Sequence, residues 1–305
     1  MKHALVTGGA GFIGSHVVDA YIDRGWRVSV IDNLSTGDRR NVHPKAEFHE
    51  ADLRDPSTFK LLERLRPDLV NHHAAQIDVR KSVADPAADA EINIVASIRL
   101  LQKSVETGVK RFIFASSGGA VYGEPEYVPQ DENHPTRPLS PYGCAKLAVE
   151  HYMNYYREVH GLSTVALRYA NVYGPRQSAK GEAGVIAIFI DRMLRGEEVT
   201  INGDGEQTRD YVYIADVVAA NVAVAESAAT GCMNVGTGVE TTVTRIFREL
   251  AILCRYERAP RHGPPKEGEQ RRSVLRPSLA GREPVPLEEG LGATVEWFHL
   301  MRASG

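Results

Sequence analysis

The chain lacks most of what would tie it to an oxidising compartment, a membrane or a nucleic acid. Only three of its 305 residues are cysteine, at positions 144, 232 and 254, an odd number without CxxC spacing, which argues against a disulfide framework or a zinc site. No apolar run approaches a membrane span, and the run after Met1 is too short for a signal peptide. Lys and Arg number 36 against 39 Asp and Glu, a net charge of −3, so there is no basic excess of the kind that binds a phosphate backbone. There is no internal repeat, no low-complexity segment and no Pro/Ser-rich linker. These absences predict a soluble cytoplasmic protein with no nucleic-acid and no membrane partner.

What is present is a regular rhythm. Short β-branched runs at Ala4 to Thr7, Val28 to Asp32, Asp68 to His72, Arg111 to Ser116 and Thr164 to Tyr169 alternate with amphipathic, helix-length segments. The latter include Phe12 to Arg24, Ala90 to Thr107 and Pro141 to His160. Strand and helix in alternation predict an α/β fold, a Rossmann-type doubly wound parallel sheet covered on both faces. After Asn171 the rhythm loosens into turn-rich and proline-rich stretches, where a smaller substrate-binding domain is expected. Ile214 to Ala225 and Cys232 to Gly236 form one more helix and strand that could return to the first sheet. The expected division is therefore 1–170, rejoined by about 207–237, against 171–206 and 238–305.

The stretch TGGAGFIG, Thr7 to Gly14, carries both GxGxxG and GxxGxxG spacings between a strand and a helix. Glycines there let the backbone approach a pyrophosphate, and the helix N-terminus favours its charge. Asp32 ends the next strand, at the separation expected for the acid that binds a ribose 2′-hydroxyl and repels a 2′-phosphate, so NAD is predicted over NADP. Asp52 and Leu53 follow the third strand and could flank the adenine, or be a surface acid and its neighbour.

In SPYGCAKLAVEHY, Tyr142 and Lys146 stand four residues apart on a helix that Ser140 and Pro141 open, hence on one face. An ammonium and a cationic nicotinamide would favour the Tyr142 phenolate, making it a base for a hydroxyl proton. Cys144, between them, reads as a small helix residue. His72 and His73 lack the companions of a metal site and read as strand-end packing or cofactor-lining residues, so no metal is expected.

These residues resemble the extended short-chain dehydrogenase/reductase family, the NAD-dependent epimerase/dehydratase group, and within it the nucleotide-sugar epimerases. The resemblance covers nearly the whole chain and rests on TGGAGFIGSH, IDNLSTG, HHAAQ, SSGGAVYGE, SPYGCAK, RYANVYGPRQ, GEAGV, GDGEQTRDYVYIADV, MNVGTG and LEEG with TVEWF. It implies that Gly8, Gly11, Phe12, Ile13 and Gly14 hold the pyrophosphate, Asp32 and Asn33 the adenosine ribose, and Ser35, Thr36 and Gly37 the neighbouring loop. Ala74 and Asn93 would line the dinucleotide, Tyr169 would flank the nicotinamide, and Tyr142 and Lys146 would serve as base and ribose anchor. Asn171, Val185 and Arg209 match positions that hold the nucleotide diphosphate, and the planar fork of Arg209 suits phosphate. Lys266 and Glu269 stand where an arginine and an aspartate clamp the nucleotide ribose in relatives. A homodimer through the helix carrying Tyr152, Tyr155 and Tyr156 is implied in the same way.

The segment SSGGAVYG, Ser116 to Gly123, separates the possible reactions. Related dehydratases carry an Asp-Glu pair where this chain has Gly119 and Ala120, and related decarboxylases use a glutamate at the Ala120 position. Without those acids, what remains is oxidation at C4 of a UDP-sugar and return to the other face, which is epimerisation. UDP-glucose and UDP-galactose are the expected pair, with UDP-glucuronate and N-acetylated UDP-hexosamines as alternatives. A nucleotide-sensing protein without turnover is the reading from another class, against which both Tyr142 and Lys146 are present. Ser117 is assigned the hydrogen bond to the sugar O4, with Ser116 as its competitor, and Tyr122 is assigned to the sugar pocket or to packing.

Overall fold

The strand His3–Thr7 is buried at every position, the signature of a strand covered on both faces. In the computed structural model, which describes residues 1–179, 184–265, 270–278 and 283–303, it becomes an interior strand of a parallel seven-stranded sheet. The strands in chain order are β1 (His3–Thr7), β2 (Arg27–Asp32), β3 (Glu47–Glu50), β4 (Leu69–His72), β5 (Arg111–Ser117), β6 (Ser163–Tyr169), β7 (Asn171–Tyr173), β8 (Thr200–Asn202), β9 (Thr208–Tyr213), β10 (Gly231–Val235), β11 (Glu240–Thr242), β12 (Arg261–Gly263) and β13 (Arg272–Ser273). The helices are α1 (Phe12–Asp23), α2 (Phe59–Leu65), α3 (Val79–Ala84), α4 (Pro86–Ala90), α5 (Ala96–Thr107), α6 (Gly118–Val121), α7 (Pro141–His160), α8 (Val185–Leu194), α9 (Ile214–Ala225), α10 (Val243–Leu253) and α11 (Leu287–Ala303).

The large sheet runs β3-β2-β1-β4-β5-β6-β10. Strand order reverses direction between β1 and β4, where the connections leave a crevice at the carboxyl ends of the strands. Helices pack their apolar stripes on the strand faces: Leu100 and Leu101 of α5, Val149 and Met153 of α7, and Leu62 of α2 join Leu5, Val70, Phe112 and Phe114 in one core cluster. Each such side chain contributes about 1.5–3 kcal/mol by leaving water.

The chain falls into two compact units, Met1–Val121 with Thr136–Arg168 and Val218–Met233, and Tyr122–Pro135 with Tyr169–Val217 and Asn234–Gly305. This moves the expected boundaries, by a residue or a few at 169–170 and 234–237 and by more in two places. Residues 207–217 belong with the second unit because β9 is its spine, pairing with β11, β13 and β7. Tyr122–Pro135 goes with it as well, because Gln130 exchanges backbone hydrogen bonds with Val274 and Arg276, and its carbonyl accepts from the Asn234 side chain. The second unit has its own core, in which Tyr173, Phe189, Ile190, Tyr211, Ile246, Phe247 and Leu291 meet.

One expected helix is interrupted. Ala90 to Thr107 resolves into the end of α4, a π-helical turn over Glu91–Val95, and α5. The wide turn carries Asn93, and such turns recur at functional sites.

Candidate active site

Residues following β1 build a glycine cradle. Gly8 has φ +68°, and a Cβ there would sit 2.6 Å from the Ala74 nitrogen and 2.8 Å from the His73 carbonyl carbon, both backbone. Gly8 is thus the glycine of the tight turn, and it brings the loop after β1 against the segment after β4, at the reversal point of the sheet. A Cβ at Gly14 would collide with the Gly8 carbonyl oxygen, so the first turn of α1 can close on the loop only without one. Helix α1 begins at the Gly11 N-cap with no side-chain cap, leaving Phe12, Ile13 and Gly14 in the first turn of an uncapped helix. This loop, which can close on its neighbours only without a Cβ at Gly8 and Gly14, and the uncapped helix start beside it fit a dinucleotide pyrophosphate.

Asp32 is buried at the end of β2 and ties the loop together. Its carboxylate accepts from the Ala10 nitrogen at 3.0 Å and the Leu34 nitrogen at 2.8 Å. Asn33 donates to Asp52 at 2.8 Å and accepts from the Ser35 nitrogen and hydroxyl, so the Asn33–Gly37 loop is ordered by its own side chains. Gly37 packs against Ala10 and Asp32. Asp52 is gripped by Arg54 at 2.7 and 3.0 Å, which holds its carboxyl well below the usual range. The Leu53 side chain lies in the core, so its side chain packs and does not flank a ligand.

Asn93 departs from the expected direct lining role. Its amide donates to the Gln76 carbonyl and to Asp89, both at 2.9 Å, and its oxygen accepts from the Gln76 nitrogen at 2.9 Å. All its strong hydrogen-bonding capacity goes to shaping the loop that continues from Ala74. Gln76 and Asp89, which the sequence reading passed over, complete that network, with Gln76 bonded to Asp89 at 2.9 Å. His72 is fully packed: its ring nitrogens meet Thr7 at 2.6 Å and Ser97 at 2.9 Å, and burial pushes its pKa down to about 3, so the ring is neutral. Among the described residues, no cluster of acids, histidines or cysteines could hold a metal.

The second constellation sits where β5 ends and α7 begins. Ser140 caps α7 by accepting from the Gly143 nitrogen at 3.1 Å, and Pro141 occupies its first turn, as the sequence predicts. A Cβ at Gly143 would stand 2.6 Å from the Ala120 carbonyl oxygen, so the helix start closes tightly on α6. Lys146 is 4% exposed, and its Nζ donates to the Ala115 carbonyl at 2.8 Å and lies 4.6 Å from the Phe114 ring centre. Burial pulls the Lys146 pKa down to about 8, against the opposing charges of Asp89 and Glu150. Its Nζ is 5.5 Å from the Tyr142 ring centre. Burial of the phenol raises the Tyr142 pKa, as does the charge of Asp89, while a hydrogen bond with Ser117 lowers it. With its pKa raised above that of an ordinary tyrosine, Tyr142 is a phenol at neutral pH.

The two serines differ sharply. The Ser116 hydroxyl donates to Glu150 at 2.5 Å inside a buried site, whereas Ser117, half-buried, is the serine that acts on the Tyr142 phenol and lowers its pKa. Gly118 is buried and Gly119 exposed, with open space where a Cβ would go. Tyr122 is 1% exposed and donates to the Asn234 side chain at 2.7 Å, which makes it a packing residue of the second unit, the second of its two expected roles.

In the second unit, Asn171 is exposed at the start of β7 and Tyr169 buried at the end of β6. Val185 opens α8, whose Gly184 N-cap provides no side-chain cap, a feature suited to an anion. The Arg209 guanidinium donates to the Thr208 carbonyl at 2.8 Å, while buried Asp210 beside it accepts from Thr237, Gly238 and Leu275 nitrogens. Arg271 and Arg272 are paired with Asp204 and Glu240. Lys266 and Glu269 lie outside the described residues.

A glycine cradle at the sheet's reversal point, an acid ending β2 and a Tyr-Lys pair on α7 define one class of protein. The chain belongs to the NAD dependent epimerase/dehydratase family, whose model matches residues 4–236. Among its relatives, UDP-glucose 4-epimerase of Mycolicibacterium smegmatis is 43% identical, over 96% of this chain and 97% of that protein. The crystal structure of UDP-glucose 4-epimerase with UDP-glucose from Thermotoga maritima superposes with a TM-score of 0.96 at 49% identity, covering 98% of this chain and 99% of that one. That of the Thermus thermophilus UDP-glucose 4-epimerase in complex with NAD gives 0.92 at 44% identity, covering 97% and 99%.

Proposed function

We propose that this protein is an NAD-dependent UDP-sugar 4-epimerase that interconverts UDP-glucose and UDP-galactose. The observation that carries the reading is the Ser117–Tyr142–Lys146 centre beside a loop that supplies no further acid: Gly119 and Ala120 cannot move a proton, so chemistry beyond C4 has no side chain to run it. The names of the similar proteins support the same sugar pair.

Gly8, Gly11, Phe12, Ile13 and Gly14 would hold the NAD pyrophosphate, with Asp32 and Asn33 at the adenosine ribose and Ser35, Thr36, Gly37 and Ala74 around it. Bound NAD supplies the group that takes hydride from C4 of the sugar and gives it back. Tyr142 holds and moves the proton at O4, Ser117 hydrogen-bonds the same oxygen, and the Lys146 ammonium favours the Tyr142 phenolate. Tyr169 is assigned to the nicotinamide, and Asn171, Val185 and Arg209 to the nucleotide diphosphate, where an uncapped helix end and a guanidinium are the chemistry required.

We also place the protein in the cytoplasm as a homodimer. Free Cys144, Cys232 and Cys254 support the first, and the second is supported by exposed Tyr152, Tyr155 and Val159 along one face of α7.

The test is to incubate purified protein with UDP-galactose, UDP-glucuronate and UDP-N-acetylglucosamine without added reductant and to resolve C4 isomers. UDP-galactose should yield UDP-glucose. Isomerisation of another substrate alone would overturn the sugar assignment, and no isomer from any, with NAD bound, would overturn the epimerase reading.

A further inference from the structure

Tyr142, Lys146 and Glu150 stand at i, i+4 and i+8 on α7 and so form one stripe. The first two make the centre described above; Glu150 acts on it only through its charge at Lys146. Yet its side chain is 4% exposed and that of Arg168, on β6, 6% exposed. Arg168 donates through Nη2 to Oε2 at 2.6 Å and through Nε to Oε1 at 3.0 Å, and the Cys232 thiol of β10 reaches Oε2 at 3.4 Å. The Ser116 hydroxyl adds the bond to Oε1 at 2.5 Å. Glu150 is thus an anion fixed from three strands of the sheet.

A buried ion pair is a weak source of stability, and apolar side chains of the same volume often do as well. What this one does is local. Ser116 is flanked by Ala115, whose carbonyl receives Lys146 Nζ, and by Ser117, the serine that acts on Tyr142. The link from Glu150 to Ser116 therefore pins the strand residue between the two that carry the centre. A slip of β5 along α7 would misplace both contacts together.

We propose that Glu150, clamped by Arg168, is a positioning residue for the catalytic centre, holding the end of β5 in register with α7 through Ser116. The inference rests on the proposed epimerase reaction, which is what makes that register matter.

Ser116→Ala removes only the strand link and leaves the ion pair in place, and Glu150→Gln keeps the shape but removes the charge. Each NAD-loaded variant is compared with wild type for turnover of UDP-galactose across pH, for UDP affinity and for melting temperature. Ser116→Ala should lower kcat roughly tenfold, the scale set by sub-ångström misplacement, with KM, UDP affinity and melting temperature unchanged. Glu150→Gln should lower kcat further and bring its alkaline fall to lower pH, because one of the two carboxylates acting on Lys146 is gone. The other groups facing Lys146 are Asp89 of α4, Tyr142 on its own helix, His72 at the end of β4 and His73 just after it, and they are the same in both proteins. If Glu150→Gln fails to fold, Ser116→Ala decides alone. An active wild type with a Ser116→Ala variant of unchanged kcat, or one whose loss lies in KM or melting temperature, overturns the inference by itself. A wild type that turns over no UDP-sugar overturns the proposed function and the inference with it.

Discussion

Replacing Gly8 by alanine puts the cradle to its most direct test. Its φ of +68° places an L side chain in the left-handed region, at a cost of about 1–2 kcal/mol. The new Cβ would stand 2.6 and 2.8 Å from backbone atoms of Ala74 and His73, so no side-chain rotation can relieve the overlap. The segment after β4 has to move, and forcing extra volume into a packed site costs about another 1–3 kcal/mol. Together these predict a fall in melting temperature on the order of 3–8 °C for a chain of this size. NAD affinity should fall at least tenfold or so, about 1.4 kcal/mol, because the displaced loop is the one proposed to hold the pyrophosphate. Differential scanning calorimetry of the NAD-free protein and NAD titration read the two effects separately. Gly119→Ala is the matched control: its φ is not in the left-handed region, and a Cβ there meets nothing within 4 Å, so stability should change by under about 0.5 kcal/mol. A Gly8→Ala protein that melts with the wild type and binds NAD equally would refute the cradle argument.

Tyr142→Phe should lower turnover of UDP-galactose by about 10²–10⁴-fold, the usual worth of a positioned acid-base group, with UDP affinity by calorimetry unchanged. Ser117→Ala should cost more turnover than Ser116→Ala; the reverse order in a steady-state comparison would exchange their roles. Lys146→Met should abolish activity yet stabilise the NAD-free protein at pH 7 by about 1–3 kcal/mol, because burial pulls this lysine from 10.5 to about 8. Below about pH 8 the folded and unfolded chains both carry its proton and the cost stands in full. Between about 8 and 10.5 only the unfolded chain does, so rising pH stabilises the wild-type fold and erases the variant's advantage, as urea melts at pH 7 and 10 would record. Tyr155→Glu, on the exposed face of α7, should convert the proposed dimer to a monomer in sedimentation without altering the fold, and a wild type that sediments as a monomer would refute the dimer.

Much of the first unit is legible in the chain because its signals are local. The runs at Val28 to Asp32 and Arg111 to Ser116 are strands to within a residue, and Ser140 with Pro141 marks the start of α7 where the structure has it. The misses are of another kind. The second-unit membership of Tyr122–Pro135 depends on bonds from Gln130 to Val274 and Arg276, more than a hundred residues away. Asn93 carries the residue type of a ligand-lining side chain, but Gln76 and Asp89 use its amide. Glu150 could have been found as the third residue of a stripe that Tyr142 and Lys146 begin, since an acid on a buried helix face needs a partner.

The sequence by itself determined the alternation of strands and helices, the glycine loop answered by Asp32, and a tyrosine and lysine on one helix face. Periodicity, capping and glycine spacing act within a few turns of chain, so they can be read in order. Only the tertiary structure decided that Gly8 makes the close approach, that Ser116 is committed to Glu150 while Ser117 faces Tyr142, and that Tyr122 packs. Each of those depends on which distant atom arrives within about 3 Å, and a hydroxyl or a missing Cβ reads the same in the chain whether Glu150, Tyr142 or Ala74 is the neighbour that folding delivers.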